Sequence, residues 1–407
     1  MKLPHDRFCV LPWISLEASP IGTVRPCCLA DDELCNDTGT KFELSTATFA
    51  DIQNSADMKK LRQQFLNGQK PQTCRKCWNE ERAGRTSKRM HTLDRLKHMG
   101  ISEEWTTDAK PLMFLDLKLG NICNLKCRIC GSWSSSQFAT EELNDMNPAE
   151  DKKASFPYQM LRAGAWPREN ERFWSEIDRS LNDIRYIEFT GGEPFMIREH
   201  FDMLQGIVDR GIADQVEIHY NTNGTQWPEG AEHIWKHFKT VEIAFSIDDV
   251  EARFEYQRSN AVWTEVCANL DRFRDLKEIY PNIQLQICTT VNVFNVRYLD
   301  QIADWIYKNR ESFGFVYWNM MHDAWYFSIG CLPDIAKQKI ADYLRSAAIP
   351  DIYREEINRV IDFMQRGAST DGFMTRMKIR DLDRKRQQNL KTVAPEIAEL
   401  LEYDYNA

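Results

Sequence analysis

Leu115-Asp116-Leu117-Lys118-Leu119-Gly120-Asn121-Ile122-Cys123-Asn124-Leu125-Lys126-Cys127-Arg128-Ile129-Cys130 is the stretch on which the fold turns. Leu115, Leu117 and Leu119 alternate with Asp116 and Lys118, which is the period of a strand. Three cysteines follow, with three and then two residues between them. Three thiolates on a loop at a strand's C-terminal end can ligate three irons of a cubane cluster and leave one iron open. By spacing alone, a zinc site lacking its fourth ligand and a chance grouping stay open as well.

Downstream, five more apolar segments read as strands: Arg185 to Phe189, Val216 to Tyr220, Val241 to Phe245, Leu285 to Thr289 and Phe313 to Trp318. Phe201 to Asp209, Trp263 to Tyr280 and Tyr298 to Tyr307 carry apolar residues at helical spacing between them. This alternation is that of a parallel α/β sheet. Six βα units suggest a partial barrel, open on one side, although strand period alone does not separate it from a doubly wound sheet. Residues 138–182 form a long polar insertion, with Asn144, Asn147, Pro148, Pro157 and Pro167 as breakers, expected to hold two short helices. After Pro333 the chain reads as helical. Its basic run over 376–391 is expected to be a solvated helix face rather than a nucleic-acid stripe.

The whole chain has 407 residues, 43% hydrophobic and 28% charged, enough for one large core with appended segments or for two to three domains. A net charge of −9 argues against a general nucleic-acid or anionic-membrane binder. No apolar run is long enough to span a bilayer, and Met1 to Arg7 lacks a signal-peptide core, so a cytoplasmic location is expected. Twelve cysteines in a reducing compartment point to metal rather than to a disulfide framework. Cys9, Cys27, Cys28, Cys35, Cys74 and Cys77 lie in the first fifth, Cys123, Cys127 and Cys130 form a tight group, and Cys267, Cys288 and Cys331 stand apart. Cys267 and Cys288 fall in apolar patterns and read as buried structural thiols.

The remaining strand ends carry loops of their own. Thr190-Gly191-Gly192-Glu193-Pro194 follows the second strand and Asn221-Thr222-Asn223-Gly224 the third. Ser246-Ile247-Asp248 follows the fourth, with Arg258 twelve residues after Ser246, and Thr290-Val291-Asn292 ends the fifth. With the three-cysteine loop, this series resembles the radical S-adenosylmethionine (radical SAM) superfamily from about residue 112 to 330. Asp249 stands where the family usually has Gly.

The resemblance implies a partial (β/α)6 barrel in which Cys123, Cys127 and Cys130 hold a 4Fe–4S cluster and the open iron chelates S-adenosyl-L-methionine. It implies that Gly191, Gly192, Glu193 and Pro194 form the loop at its amino group and that Arg258 pairs with its carboxylate. Asn223, Ser246 and Asp248 are implied at its carboxylate or ribose, and Val291 against its adenine. The expected reaction is reductive cleavage to a 5′-deoxyadenosyl radical that removes a substrate hydrogen. An external flavodoxin- or ferredoxin-like protein would supply the electron.

At the N-terminal side, Cys9, twelve residues, Gly22, four residues and Cys27 precede Cys74-Arg75-Lys76-Cys77-Trp78. This resembles the auxiliary-cluster pattern of the twitch domain, the shorter relative of SPASM, here placed ahead of the barrel. It implies a second 4Fe–4S cluster on Cys9, Cys27, Cys74 and Cys77, with a four-cysteine zinc site as the alternative. Gly22 is expected to turn a hairpin between Trp13–Glu17 and Thr23–Arg25. Cys28 and Cys35 are additional thiols that could exchange with these ligands. The basic residues Arg75, Lys76, Arg82, Arg85, Lys88, Arg89, Arg95 and Lys97 suggest a solvated linker helix, or else steering of an acidic substrate.

Residues 1–110 are thus expected to be the auxiliary domain and linker, 111–332 the barrel and 333–407 a helical extension. Near the sixth strand, Tyr317, His322, Asp323, Trp325, Tyr326 and Cys331 could touch substrate. Cys331 is expected to be an inert loop thiol, with hydrogen-atom donation or auxiliary-cluster ligation as the alternative. The expected substrate is a peptide or protein side chain. A dehydrogenase or rearrangement enzyme acting on a sugar or nucleotide, and a non-catalytic metal scaffold, are the alternatives.

Overall fold

The computed structural model describes residues 3–82, 84–97, 104–168, 170–321 and 324–406. Ten strands occur among them: β1 (Ser15–Ala18), β2 (Val24–Arg25), β3 (Phe114–Lys118), β4 (Lys126–Cys127) and β5 (Tyr186–Thr190). They continue as β6 (Glu217–Thr222), β7 (Thr240–Ser246), β8 (Arg258–Ser259), β9 (Ile283–Val291) and β10 (Phe313–Met320). The six strands expected from alternation are β3, β5, β6, β7, β9 and β10, with helices such as Glu199–Asp209, Trp263–Ile279 and Leu299–Lys308 between them.

The chain divides into two compact units, and the boundary falls inside β7. The first comprises residues 1–123, 132–221 and 228–242. Its strand order is β2-β1-β3-β5-β6, antiparallel at β1–β2 and parallel elsewhere. The register sets Glu17 opposite Asp116, Asp116 opposite Glu188 and Glu188 opposite His219, one polar row on one face. Leu16, Leu115, Leu117, Ile187, Phe189, Ile218 and Tyr220 occupy the other face and are buried.

Helix Lys88–Leu96 neutralises the polar face. Lys88 Nζ lies 3.1 Å from Asp116 Oδ2 and also pairs with Glu188. Arg95 pairs with Glu217 and, at 3.1 Å, with Glu242. Arg89 turns to Glu81 and to the Asp6 and Phe8 carbonyls. The basic run is therefore solvated only in part: Arg75, Arg82 and Lys97 are exposed, whereas Lys88, Arg89 and Arg95 point inward, because carboxylates on the strands and on helix Arg75–Arg82 compensate them.

Two other expectations change in detail. Residues 138–182 hold parts of three helices, Ser136–Asp145, Phe156–Ala163 and Glu171–Ser180, rather than two. Pro157 reads as a breaker in the sequence, yet it sits in the first turn of Phe156–Ala163, where its missing N–H costs nothing. The hairpin about Gly22 (φ +83°) forms, but its first strand starts at Ser15, after a one-turn helix Leu11–Ile14 with Pro12 in that turn.

The second unit comprises residues 124–131, 222–227 and 243–407. Its strands run in the order β7-β9-β10, with β9 and β10 parallel, beside a separate antiparallel ribbon of β4 and β8. Helices Asp334–Ser346, Asp351–Arg366, Phe373–Arg386 and Pro395–Leu400 follow, as expected after Pro333. Ile340, Leu344, Ile357, Val360, Ile361 and Met364 bury their apolar faces. Among the described residues, no helix is long and apolar enough to cross a membrane.

Candidate active site and auxiliary metal site

The first unit contributes Cys123 and the glycine loop. The Cys123 backbone N donates to Ser136 Oγ at 3.2 Å, and Ser136 Oγ donates to the Cys123 carbonyl at 3.2 Å. The loop after β5 packs directly on the residue before Cys123: Glu193 N donates to the Ile122 carbonyl at 2.7 Å. Gly191 has φ +87°, and a Cβ on Gly192 would stand 2.0 Å from the Ile122 oxygen, so both positions require glycine. Glu193 is fully buried, and its Oε1 accepts from Phe195 N at 3.2 Å across Pro194.

The second unit holds Cys127, Cys130 and the downstream residues. β4 and β8 set Cys127 opposite Arg258, whose Nη1 lies 3.8 Å from Cys127 Sγ. Arg258 Nη2 also pairs with Asp248 Oδ2 at 2.6 Å, and Asp248 Oδ1 accepts from Thr290 N at 2.8 Å. Here, then, Arg258 and Asp248 engage each other. Arg258 Nε is buried with no partner among the described residues, a donor open to an anionic ligand group.

Asn223 Nδ2 donates to Asn124 Oδ1 at 3.0 Å, inside the cysteine loop itself. Ser246 ends β7, half-buried, and Val291 ends β9, fully buried. The Cys127 thiol is lowered to about 7, chiefly by its hydrogen bond with Cys130, with the Arg258 and Arg386 charges adding and burial opposing. Within this unit, a thiol lowered to about 7 and an open guanidinium N–H fit an iron–sulfur cluster bearing an amino-acid ligand.

Cys9, Cys27, Cys74 and Cys77 all belong to the first unit and come together there. Cys9 is buried among Phe8, Val10, Leu11, Trp13, Phe65 and Trp78, with Cys27 and Cys74 packed against the same cluster. Burial pushes the Cys9 thiol well up, and Cys74, Cys27 and Cys77 raise it further. Burial likewise pushes Cys27 up to about 11, with Cys77 adding to it. Four buried thiols that oppose one another's ionisation are accommodated by a multivalent cationic centre.

Cys28 lies elsewhere, its sulfur within 4.8 Å of ligand atoms of Asp116 and Glu188, where Lys88 compensates both carboxylates. Cys35 Sγ donates to the Glu33 carbonyl at 3.8 Å. No disulfide joins any of the twelve cysteines. Cys288 and Cys331 are buried, and Cys331 Sγ donates to the Ser328 carbonyl at 3.0 Å. Trp325 is exposed, while His322 and Asp323 lie outside the described residues. Sequence reasoning missed Asn124, a position between the first two cysteines of the loop, and Ser136, the first residue of helix Ser136–Asp145.

Residues 117–306 match the radical SAM superfamily, and residues 9–78 match the SPASM iron–sulfur cluster-binding domain. No curated protein matches the chain. Among solved structures it is similar to polyhistidine-tagged anSMEcpe with bound AdoMet, at 17% identity over 58% of this chain and 60% of that one, TM-score 0.38. Streptococcus suis SuiB bound to S-adenosylmethionine gives 15% identity over 74% and 58%, TM-score 0.36. SuiB bound to its precursor peptide SuiA gives 13% over 68% and 61%, TM-score 0.35. The chain spans about six-tenths of the length of these structures. The two domains bring a 4Fe–4S cluster with S-adenosylmethionine and an auxiliary iron–sulfur cluster. With a SPASM domain at 9–78 leading into a radical SAM domain at 117–306, the chain is a radical SAM protein whose auxiliary domain comes first.

Proposed function

We propose that the chain generates a 5′-deoxyadenosyl radical and removes a hydrogen atom from a peptide or protein side chain. The observation that carries the reading is the β4–β8 ribbon, which sets Arg258 against Cys127 of the three-cysteine loop. Cys123, Cys127 and Cys130 would hold the radical cluster, and Cys9, Cys27, Cys74 and Cys77 the auxiliary one. When bound, the reduced cluster supplies the electron that cleaves the sulfonium carbon–sulfur bond of S-adenosylmethionine.

The chain's own residues bind, orient and exclude water. Gly191 and Gly192 admit the ligand close to the backbone, with Glu193 beside its amino group and Pro194 fixing the turn. Arg258 would turn its open Nε–H towards the ligand carboxylate, with Asp248 holding the guanidinium. Asn223, Ser246 and Val291 would complete the ribose and adenine contacts. As functional segments we read 1–110 as the auxiliary domain with its linker, 111–332 as the barrel and 333–407 as an extension. A flavodoxin- or ferredoxin-like donor would supply electrons. The SPASM-type domain supports the peptide reading over a small-molecule one.

Anaerobically reconstituted protein given a chemical reductant is expected to form 5′-deoxyadenosine. Transfer of deuterium from a labelled candidate peptide into that product identifies the substrate class. Transfer from a labelled sugar or nucleotide, with none from peptides, would refute the peptide assignment.

A further inference from the structure

Arg128 lies between the second and third cysteines of the loop, and its side chain is fully buried. Its backbone N donates to the Gln257 carbonyl at 2.8 Å and its Nε to the Tyr256 carbonyl at 2.8 Å. Its guanidinium carbon stands 3.6 Å from the Tyr256 ring centroid. Nη2 donates to Asp383 Oδ1 at 2.6 Å and to Gln388 Oε1 at 2.7 Å. Asp383 and Gln388 come from the C-terminal extension, 255 and 260 residues away.

Asp383 is itself fully buried and saturated. Its Oδ1 also accepts from Tyr256 Oη at 2.8 Å, and its Oδ2 accepts from Tyr403 Oη at 2.6 Å and Leu390 N at 2.8 Å. A buried ion pair is costly unless its remaining hydrogen-bond capacity is met; Tyr256 and the extension meet that of Asp383, while Arg128 Nη1 stays buried without a partner among the described residues. One helical turn on, Arg386 Nη1 donates to Ser259 Oγ at 3.1 Å, and Ser259 follows Arg258 in β8. The extension thus grips the cysteine loop at Arg128 and the strand of Arg258 at Ser259.

We infer that Asp383 and Arg386 are positioning residues for the radical cluster: they fix the loop of Cys127 and Cys130 relative to Arg258. This rests on the assignment of those cysteines to the cluster. The extension is then part of the site and not an appended tail. Arg128 and Asp383 set the pose of the loop, while Arg386 holds the Ser259 side chain on β8 and adds positive charge near Cys127.

Full-length protein carrying Asp383→Asn, Arg386→Gln or Arg386→Lys tests this after anaerobic reconstitution, with S-adenosylmethionine itself as the probe. The readouts are its Kd, the change it induces in the EPR spectrum of the reduced protein, and the melting temperature. Asp383→Asn and Arg386→Gln are expected to raise the Kd at least about fivefold and to alter the induced EPR change. Arg386→Lys should restore most of the affinity, and Arg386→Gln should melt near the parent because that side chain is half-exposed. Should Asp383→Asn fail to fold, Arg386→Gln decides. Parental Kd and EPR response in Arg386→Gln overturn the inference, whatever happens to melting. A Cys123→Ala, Cys127→Ala, Cys130→Ala protein that keeps the parental EPR response would instead refute the cluster assignment beneath it.

Discussion

The two cysteine sites are built in opposite ways. The radical loop packs its thiols into eight residues and borrows its rigidity from the β4–β8 ribbon and Arg258. The auxiliary set draws Cys9, Cys27, Cys74 and Cys77 from three separate segments, with Cys9 inside and Cys27 and Cys74 against an apolar core of Phe8, Trp13, Phe65 and Trp78, and Cys77 buried. Cys127 is lowered to about 7, whereas burial raises Cys9, Cys27, Cys74 and Cys77. Cys127, hydrogen-bonded to Cys130 and near Arg258, gives up its proton more readily than an ordinary thiol. A hydrophobic pocket of thiols needs the metal to displace its protons, so its loading is coupled more tightly to folding.

The largest expected effects come from removing either set. Alanine at Cys123, Cys127 and Cys130 together should abolish 5′-deoxyadenosine formation while the fold, read by circular dichroism, stays intact. Alanine at Cys74 and Cys77 should lower iron from about eight to about four per chain. Stoichiometric zinc, with iron for one cluster, would make the N-terminal site structural instead.

Arg89→Met strikes the scaffold of the auxiliary site alone. It strands Glu81 and two carbonyls near Cys9, and a denaturant titration should show a loss of about 3 kcal/mol. If the contrast holds, auxiliary iron falls and radical-site iron does not. Equal loss from both sites would break it.

Arg258→Ala tests the charged partner of the other site, and it also strands the buried Asp248 carboxylate. Binding of S-adenosylmethionine should weaken by about 1.5–3 kcal/mol, read by equilibrium dialysis. An unchanged Kd would mean that another cation holds the carboxylate.

A pH effect separates stability from metal. His200 is fully buried, with Nδ1 2.5 Å from the Ile197 carbonyl, and burial lowers its pKa from 6.5 to about 3. The unfolded chain therefore takes up a proton first, and stability falls as pH drops from about 6.5 towards 3. The slope is about 1.4 kcal/mol per pH unit. His200→Leu should flatten that part of the curve in urea titrations, with iron content unchanged.

The six main strands were legible because each places apolar residues at period two between turn-forming loops, and those loops carry the motif residues at strand ends. What escaped sequence reading depends on distance along the chain. β1 pairs in parallel with β3 through Ser15 and Phe114, a contact that a four-residue strand does not announce. Asp116, Glu188, Glu217 and Glu242 look solvent-facing because they alternate with apolar residues, yet their partners are Lys88 and Arg95 on a helix that reads as a basic linker. Arg128 carries no motif at all, and its partner Asp383 sits in a run of charges that resembles an ordinary wet helix face.

The β1–β3 pairing also has a timetable. Nearly a hundred residues separate the two strands, so at about 5–20 residues per second the N-terminal segment waits on the order of 5–20 s of synthesis before its sheet neighbour leaves the ribosome. Cys9 and Cys27, which flank β1 and β2, emerge early in that interval, before β1 can pair with β3. Oxidative damage to a nascent chain would therefore fall first on the auxiliary thiols, and slower translation or aerobic growth should deplete that cluster before the radical one.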